Sequence, residues 1–99
     1  MKQNFLTRNL RLLKAIVLRH SPKQWRVFVF GSTARRQRQE NSDIDIGFYG
    51  KTKLSADVIY KIRQEIEESS IPYHVDLVDF FGKPQAFQKL ALQNKLVWQ

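Results

Sequence analysis

The 99-residue sequence contains no cysteine, which excludes disulfide bonds and metal sites built on thiolates. It also has no long apolar run. The longest wholly aliphatic stretch, Ala15–Leu18, is far shorter than a membrane span or the apolar region of a signal peptide. The N-terminal region is basic but has no small-residue cleavage site. We therefore expect a cytoplasmic protein that does not enter a membrane.

Acidic residues are absent from the first 39 positions, which carry ten lysines and arginines. The remaining sixty positions carry seven bases and nine acids, so the formal net charge of +8 comes from the N-terminal part. Such asymmetry indicates an anionic partner: nucleotide phosphates, a nucleic acid or an acidic protein surface. For the bases of the first helix, a solvated helix face is the simpler interpretation. Arg35, Arg36 and Arg38 instead lie beside a candidate phosphate loop.

A chain of this length holds one domain, residues 1–99, and 42% hydrophobic residues suffice for a modest core. Apolar residues recur at helical spacing in some segments, and β-branched and aromatic residues cluster in others. These patterns predict, in order, helix 4–19, strand 25–30, a helical turn at 32–36, strand 43–49, helix 55–69, strand 73–80, a helix starting at 84, and a frayed end or short edge strand at 95–99. The order predicts an α/β or α+β domain in which helices pack on one sheet.

The most informative segment is Gly31-Ser32, followed after ten residues by Asp43-Ile44-Asp45-Ile46. Residues two apart on a strand project to the same face, roughly 6.5–7 Å apart along it. Asp43 and Asp45 can therefore share a pair of divalent cations held about 3.5–4 Å apart, as in enzymes of phosphoryl and nucleotidyl transfer. Two exposed acids on the wet face of an edge strand are the alternative interpretation.

Gly31 and Ser32 follow the first predicted strand directly. Glycine permits a positive φ and lets backbone N–H groups approach phosphate oxygens closely. The Ser32 hydroxyl can then donate a hydrogen bond to a phosphate. A Gly-Ser pair alone is common in ordinary turns, and the downstream acids make this one informative.

The third predicted strand carries two further acids on opposite faces. His74 and Asp76 share one face, whereas Asp79 lies on the other and cannot join Asp76 without a bulge. We therefore expect Asp79 to be a strand-end cap or surface acid. His74 is expected to be a structural or surface residue, with a proton relay to Asp76 as the alternative.

Three segments occur in the order that characterises one superfamily: Gly31-Ser32, Asp43-Ile44-Asp45-Ile46 and Val75-Asp76-Leu77. They resemble the signature of the polymerase-β-like nucleotidyltransferases. At this length the chain most resembles the minimal nucleotidyltransferases (MNT), the small partners of HEPN-domain proteins in toxin–antitoxin pairs. The resemblance implies a palm-like fold in which helices flank a small mixed sheet.

The resemblance also implies the site. The implied catalytic residues and ligands of two Mg²⁺ ions are Asp43, Asp45 and Asp76, and the implied nucleotide-binding residues are Gly31, Ser32, Arg35 and Arg36. Two positions depart from the family pattern, since Thr33 stands where an arginine is common and Arg36 where a glycine is common. Arg35 or Arg36 could supply the cation that the loop otherwise lacks.

The implied activity is metal-dependent transfer of a nucleotidyl group from an NTP to a hydroxyl on a partner. The expected nucleotide is ATP, the expected group is AMP, and the expected partner is a HEPN-type toxin that this chain neutralises as the antitoxin. One alternative is a catalytically inactive antitoxin that binds its partner without turnover. Another is a nucleic-acid-binding module that uses the basic N-terminal half.

Overall fold

The computed structural model describes residues 2–34, 43–85, 88–89, 93 and 95–99. The helices are α1 (Lys2–His20), α2 (Gly31–Ala34) and α3 (Ala56–Glu68), and the strands are β1 (Arg26–Phe30), β2 (Ile44–Tyr49), β3 (Val75–Asp79) and β4 (Leu96–Val97). Residues 85, 88 and 89 are also helical. Within these ranges the predicted order of elements is confirmed, with boundaries that shift by one or two residues.

The four strands form one mixed sheet in the order β3-β2-β1-β4. β2 and β3 are parallel, whereas β1 is antiparallel to both β2 and β4. The C-terminal end of β1 and the N-terminal ends of β2 and β3 therefore meet at one edge of the sheet. The mixed α/β architecture agrees with the prediction, and this edge is where the predicted site residues of the described chain lie.

The helices α1 and α3 cover one face of the sheet. Alternate residues of β1 and β2 point into this layer and are fully buried, as are the central residues of the two helical stripes. The main members of this core are Leu13, Val17, Val27, Val29, Ile44, Ile46, Phe48 and Ile62. Ser55 caps α3 by accepting a hydrogen bond from the amide of Val58 at 3.2 Å, as its position before the helix predicts.

The opposite face of the sheet carries a smaller aromatic cluster. The rings of Phe28, Phe30 and Phe80 lie 5.2–6.0 Å apart, centroid to centroid, in tilted or edge-on arrangements. Gly47 provides the space for them, because a Cβ there would collide with the rings of Phe28 and Phe80. This face is apolar at the centre of the sheet and acidic at the edge where β2 and β3 begin.

The end of the chain is held against β1. The amide of Trp98 donates to the carbonyl of Val27 at 2.7 Å, and the indole packs on the main core. The side-chain amide of Gln99 donates to the carbonyls of Pro22 and Trp25, each at 2.9 Å. Trp98 is therefore half-buried against the main core of the domain. No helix in the described part of the chain is long and apolar enough to cross a membrane.

Candidate active site

The parallel pairing of β2 with β3 sets the acidic residues side by side. Asp45 and Asp76 are direct partners in the register, and the amide of Ile44 donates to the carbonyl of His74 at 2.9 Å. Neighbouring strands lie roughly 4.8 Å apart, and residues in register project to the same face. The carboxylates of Asp45 and Asp76 thus share the open face of the sheet.

Asp43 directly precedes β2 and lies beside the start of β3. Carboxylate oxygens of Asp43 and Asp76 and a ring nitrogen of His74 all lie within 4.8 Å of one another. Asp43 and His74 are exposed, and Asp76 is half-buried. Within this group, the Nε2 atom of His74 is 3.0 Å from Oδ1 of Asp76. Asp45, although in register with Asp76, is not a member of this cluster.

Asp45 instead lies against the start of the loop that follows β1. Gly31 has a φ of +74°, and a Cβ at this position would collide with Oδ2 of Asp45. The left-handed backbone favours glycine here, and a Cβ would also force the end of the Asp45 side chain to move. This contact joins the Gly-Ser turn to the end of the sheet where Asp43, Asp45 and Asp76 lie, which we call the acidic edge.

The residues after Gly31 continue into α2. Ser32 is half-buried, whereas Thr33 is buried, and its hydroxyl has no hydrogen-bond partner in the part of the chain that the structure describes. Ser32 directly follows Gly31, which lies against Asp45. Arg35 and Arg36, the other predicted nucleotide-binding residues, lie outside the described residues.

Asp79 has a different environment from Asp76. Its Oδ2 atom accepts from the amide of Leu54 at 2.7 Å, and its Oδ1 atom accepts from the amide of Phe81 at 3.0 Å. The predicted role as a strand-end cap is confirmed, and the carboxylate holds the chain before α3 against the end of β3. Asp79 takes no part in the acidic edge.

The donor set at this edge fits a divalent cation. Three carboxylates provide the hard oxygen ligands that Mg²⁺ prefers. Two ligands on opposite sides of an octahedral Mg²⁺ lie about 4.2 Å apart, since each bond is about 2.0–2.1 Å. The donor atoms of Asp43, His74 and Asp76 all lie within 4.8 Å of one another, a limit slightly above this separation. The sequence predicts that His74 and Asp76 share one face of their strand. It does not predict that His74 also lies close to Asp43, which precedes the neighbouring strand.

The family model for the polymerase beta nucleotidyltransferase domain matches residues 13–99. The chain belongs to this nucleotidyltransferase family. The match spans all four strands of the sheet, including the starts of β2 and β3 that form the acidic edge. The family predicted from the three sequence segments is thus confirmed.

Similar proteins refine this placement. Over 90 residues the chain is 24% identical to "Probable protein adenylyltransferase MntA" of Haemophilus influenzae, a match that covers 91% of this chain and 78% of the relative. A solved toxin–antitoxin structure with AMP-PNP superposes with a TM-score of 0.64 at 21% identity, covering 100% of this chain and 73% of that one. A complex of a tri-AMPylated Shewanella oneidensis HEPN toxin with its MNT antitoxin gives a TM-score of 0.60 at 16% identity, covering 90% and 71%. At these identities the structural matches establish the fold of this nucleotidyltransferase.

Proposed function

We propose that this nucleotidyltransferase transfers AMP from ATP to a hydroxyl group of a partner protein, with the help of divalent cations. The observation that carries the proposal is the common edge where Asp43, Asp45 and Asp76 meet Gly31 and Ser32. Such an edge combines ligands for cations with a turn that can approach phosphates. Membership of the family supports the class of reaction.

In this proposal, each residue of the edge has a stated role. Asp43, Asp45 and Asp76 would hold two Mg²⁺ ions, which would neutralise phosphate charge and favour ionisation of the attacking hydroxyl. Asp76 accepts the proton of that hydroxyl. The acceptor oxygen then forms a bond to the α-phosphorus, the bond to the β-phosphate oxygen breaks, and pyrophosphate leaves.

The turn after β1 binds the leaving phosphates. Gly31 leaves room for a close approach to the backbone, and the Ser32 hydroxyl donates a hydrogen bond to the β- or γ-phosphate. Arg35 and Arg36 supply positive charge where Thr33 replaces the arginine common in the family. Such preorganised donors and charges lower the barrier by stabilising the charge that develops on the phosphates.

We further propose that the acceptor is a HEPN-type toxin and that this chain is its antitoxin. The similarity to MntA and to an MNT antitoxin in complex with an AMPylated HEPN toxin supports this assignment. A cytoplasmic location is part of the proposal, because ATP is available there.

Incubation with ATP labelled at the α-phosphate tests the transfer. The chain alone, a HEPN-type protein from the same genome alone, and the two together are compared after denaturing gel electrophoresis. We expect label on the HEPN-type protein only when both proteins and Mg²⁺ are present. Asp76→Asn removes the label, whereas the matched control Asp57→Asn, at an exposed acid on α3, keeps it.

Two other outcomes separate the alternatives. Formation of a stable complex without any label indicates an antitoxin that binds without turnover. The exposed bases Arg8, Arg11 and Lys14 on α1 favour a different alternative, the binding of a nucleic acid. Binding of RNA with a steep dependence on salt, in the absence of nucleotide transfer, indicates that alternative, because phosphate contacts release counterions.

A further inference from the structure

The imidazole of His74 lies among the carboxylates of the acidic edge. Its backbone is fixed by the hydrogen bond from Ile44, which holds the start of β3 against β2 at 2.9 Å. A ring nitrogen lies within 4.8 Å of a carboxylate oxygen of Asp43 and of a carboxylate oxygen of Asp76. The side chain is 66% exposed, so the ring is not part of the hydrophobic core and its position is not explained by packing.

Two interpretations of the 3.0 Å contact between His74 and Asp76 have different consequences. In the first, the ring donates a hydrogen bond and only orients the Asp76 carboxylate. In the second, Nε2 is itself a donor atom to the cation that the two carboxylates hold. The second interpretation uses all three donor atoms, which lie within 4.8 Å of one another, rather than the contact with Asp76 alone.

We propose that His74 is a direct metal ligand together with Asp43 and Asp76, and that it shifts the preference of the site from Mg²⁺ toward Mn²⁺. The inference rests on the proposed function, since it concerns the same edge. Mg²⁺ takes oxygen ligands and gains little from an imidazole. Mn²⁺ also accepts carboxylates and water, and it is a member of the first-row series of divalent metals that bind sites with nitrogen ligands, a series that does not include Mg²⁺.

The chain offers a matched control for this inference. Its two histidines are His20, which contacts Glu65 between α1 and α3, and His74 at the acidic edge. His74→Gln removes the imidazole at the edge and keeps a polar side chain. His20→Gln makes the same chemical change away from it, and circular dichroism confirms that both variants fold.

The experiment measures Mn²⁺ and Mg²⁺ binding by titration, with each ion alone and with a non-hydrolysable ATP analogue. Pulsed electron paramagnetic resonance of bound Mn²⁺ then detects the ligand nitrogen, and protein carrying ¹⁵N-histidine separates imidazole from nucleotide nitrogens. We expect one histidine nitrogen on Mn²⁺ in the wild type and in His20→Gln, and none in His74→Gln. We also expect His74→Gln to weaken Mn²⁺ binding at least about tenfold and Mg²⁺ binding less than twofold.

The outcomes that overturn the inference are separate from those that overturn the proposed function. Absence of a histidine nitrogen on Mn²⁺, or equal losses of Mn²⁺ and Mg²⁺ affinity in His74→Gln, assigns His74 to the positioning of Asp76 and refutes ligation. Transfer of AMP with Mg²⁺ can persist in that case, so the proposed function stands. If Mn²⁺ does not bind either alone or with the ATP analogue, the inference is overturned. If the wild-type protein transfers no AMP, the proposed function is overturned.

Discussion

The two faces of the sheet separate stability from chemistry, and the same strands serve both. On β2, Ile44 and Ile46 are completely buried under the helices, whereas Asp45 between them lies on the open face. On β3, Val75 is buried in the core and Asp76 stands at the acidic edge. Because side chains alternate along a strand, one residue of each of these neighbouring pairs packs in the core and the other faces the site. This comparison predicts opposite phenotypes for adjacent residues.

The largest expected effect is on the acidic face. Asp45→Asn and Asp76→Asn should each lower metal-dependent transfer about a thousandfold or more, because cation ligands contribute several kcal/mol to transition-state stabilisation. Asp76→Asn should leave the melting temperature without metal unchanged or higher, since it relieves repulsion between neighbouring carboxylates. Initial rates and thermal melts measure the two effects. Wild-type turnover in either variant would show that the residue is not a ligand.

The adjacent buried residue should behave in the opposite way. Ile46→Ala leaves a cavity beneath α1 and α3, and such changes cost about 2–5 kcal/mol of unfolding free energy. Urea denaturation measures this loss. Well below the new melting temperature, the folded fraction should keep near-normal transfer activity. A loss of activity as large as that of Asp45→Asn, in folded protein, would break the separation between the two faces.

Ser32→Ala sharpens the comparison at the edge itself. A hydrogen bond to a charged phosphate is worth roughly 1.5–3 kcal/mol, so the affinity for an NTP analogue should fall about tenfold to a hundredfold. The melting temperature should change little, because Ser32 is only half-buried. Isothermal titration with Mg²⁺ present measures the affinity. Unchanged affinity would mean that the Gly-Ser turn does not bind the phosphates.

A pair of glycines separates backbone strain from the contact with Asp45. Gly31 and Gly82 both have positive φ, +74° and +78°, but only a Cβ at Gly31 meets the carboxylate, whereas a Cβ at Gly82 meets nothing within 4 Å. Gly31→Ala and Gly82→Ala should each lose about 1–2 kcal/mol of stability from the left-handed conformation. Only Gly31→Ala should also lose transfer activity. Equal activities in the two variants would show that displacement of Asp45 is harmless.

The sequence predicts these faces well because alternation is a local property. The parity of Asp76 and Asp79 along β3 placed them on opposite faces and left Asp79 as a strand-end cap or a surface acid; the structure shows the cap. The contacts that depend on pairing between distant segments were not predictable in the same way. The approach of His74 to Asp43 requires the parallel register of β2 and β3, and the packing of Trp98 against the core requires the end of the chain to pair with β1.

The smallest expected effect lies in the helical layer, where Glu65 on α3 contacts His20 and Arg19 on α1. The hydrogen bond with His20, followed by the charge of Arg19, holds the pKa of Glu65 below its ordinary value of 4.5. A lowered pKa stabilises the folded state above pH 4.5, and this contribution is lost as the pH falls through the folded-state pKa. Glu65→Gln should therefore lower the melting temperature slightly at pH 7 and by less at pH 3, while Glu67→Gln on the exposed side of α3 serves as the control. A difference that persists undiminished at pH 3 would assign the effect to packing of the side chain, and a change in transfer activity at pH 7 would link the helical layer to the acidic edge.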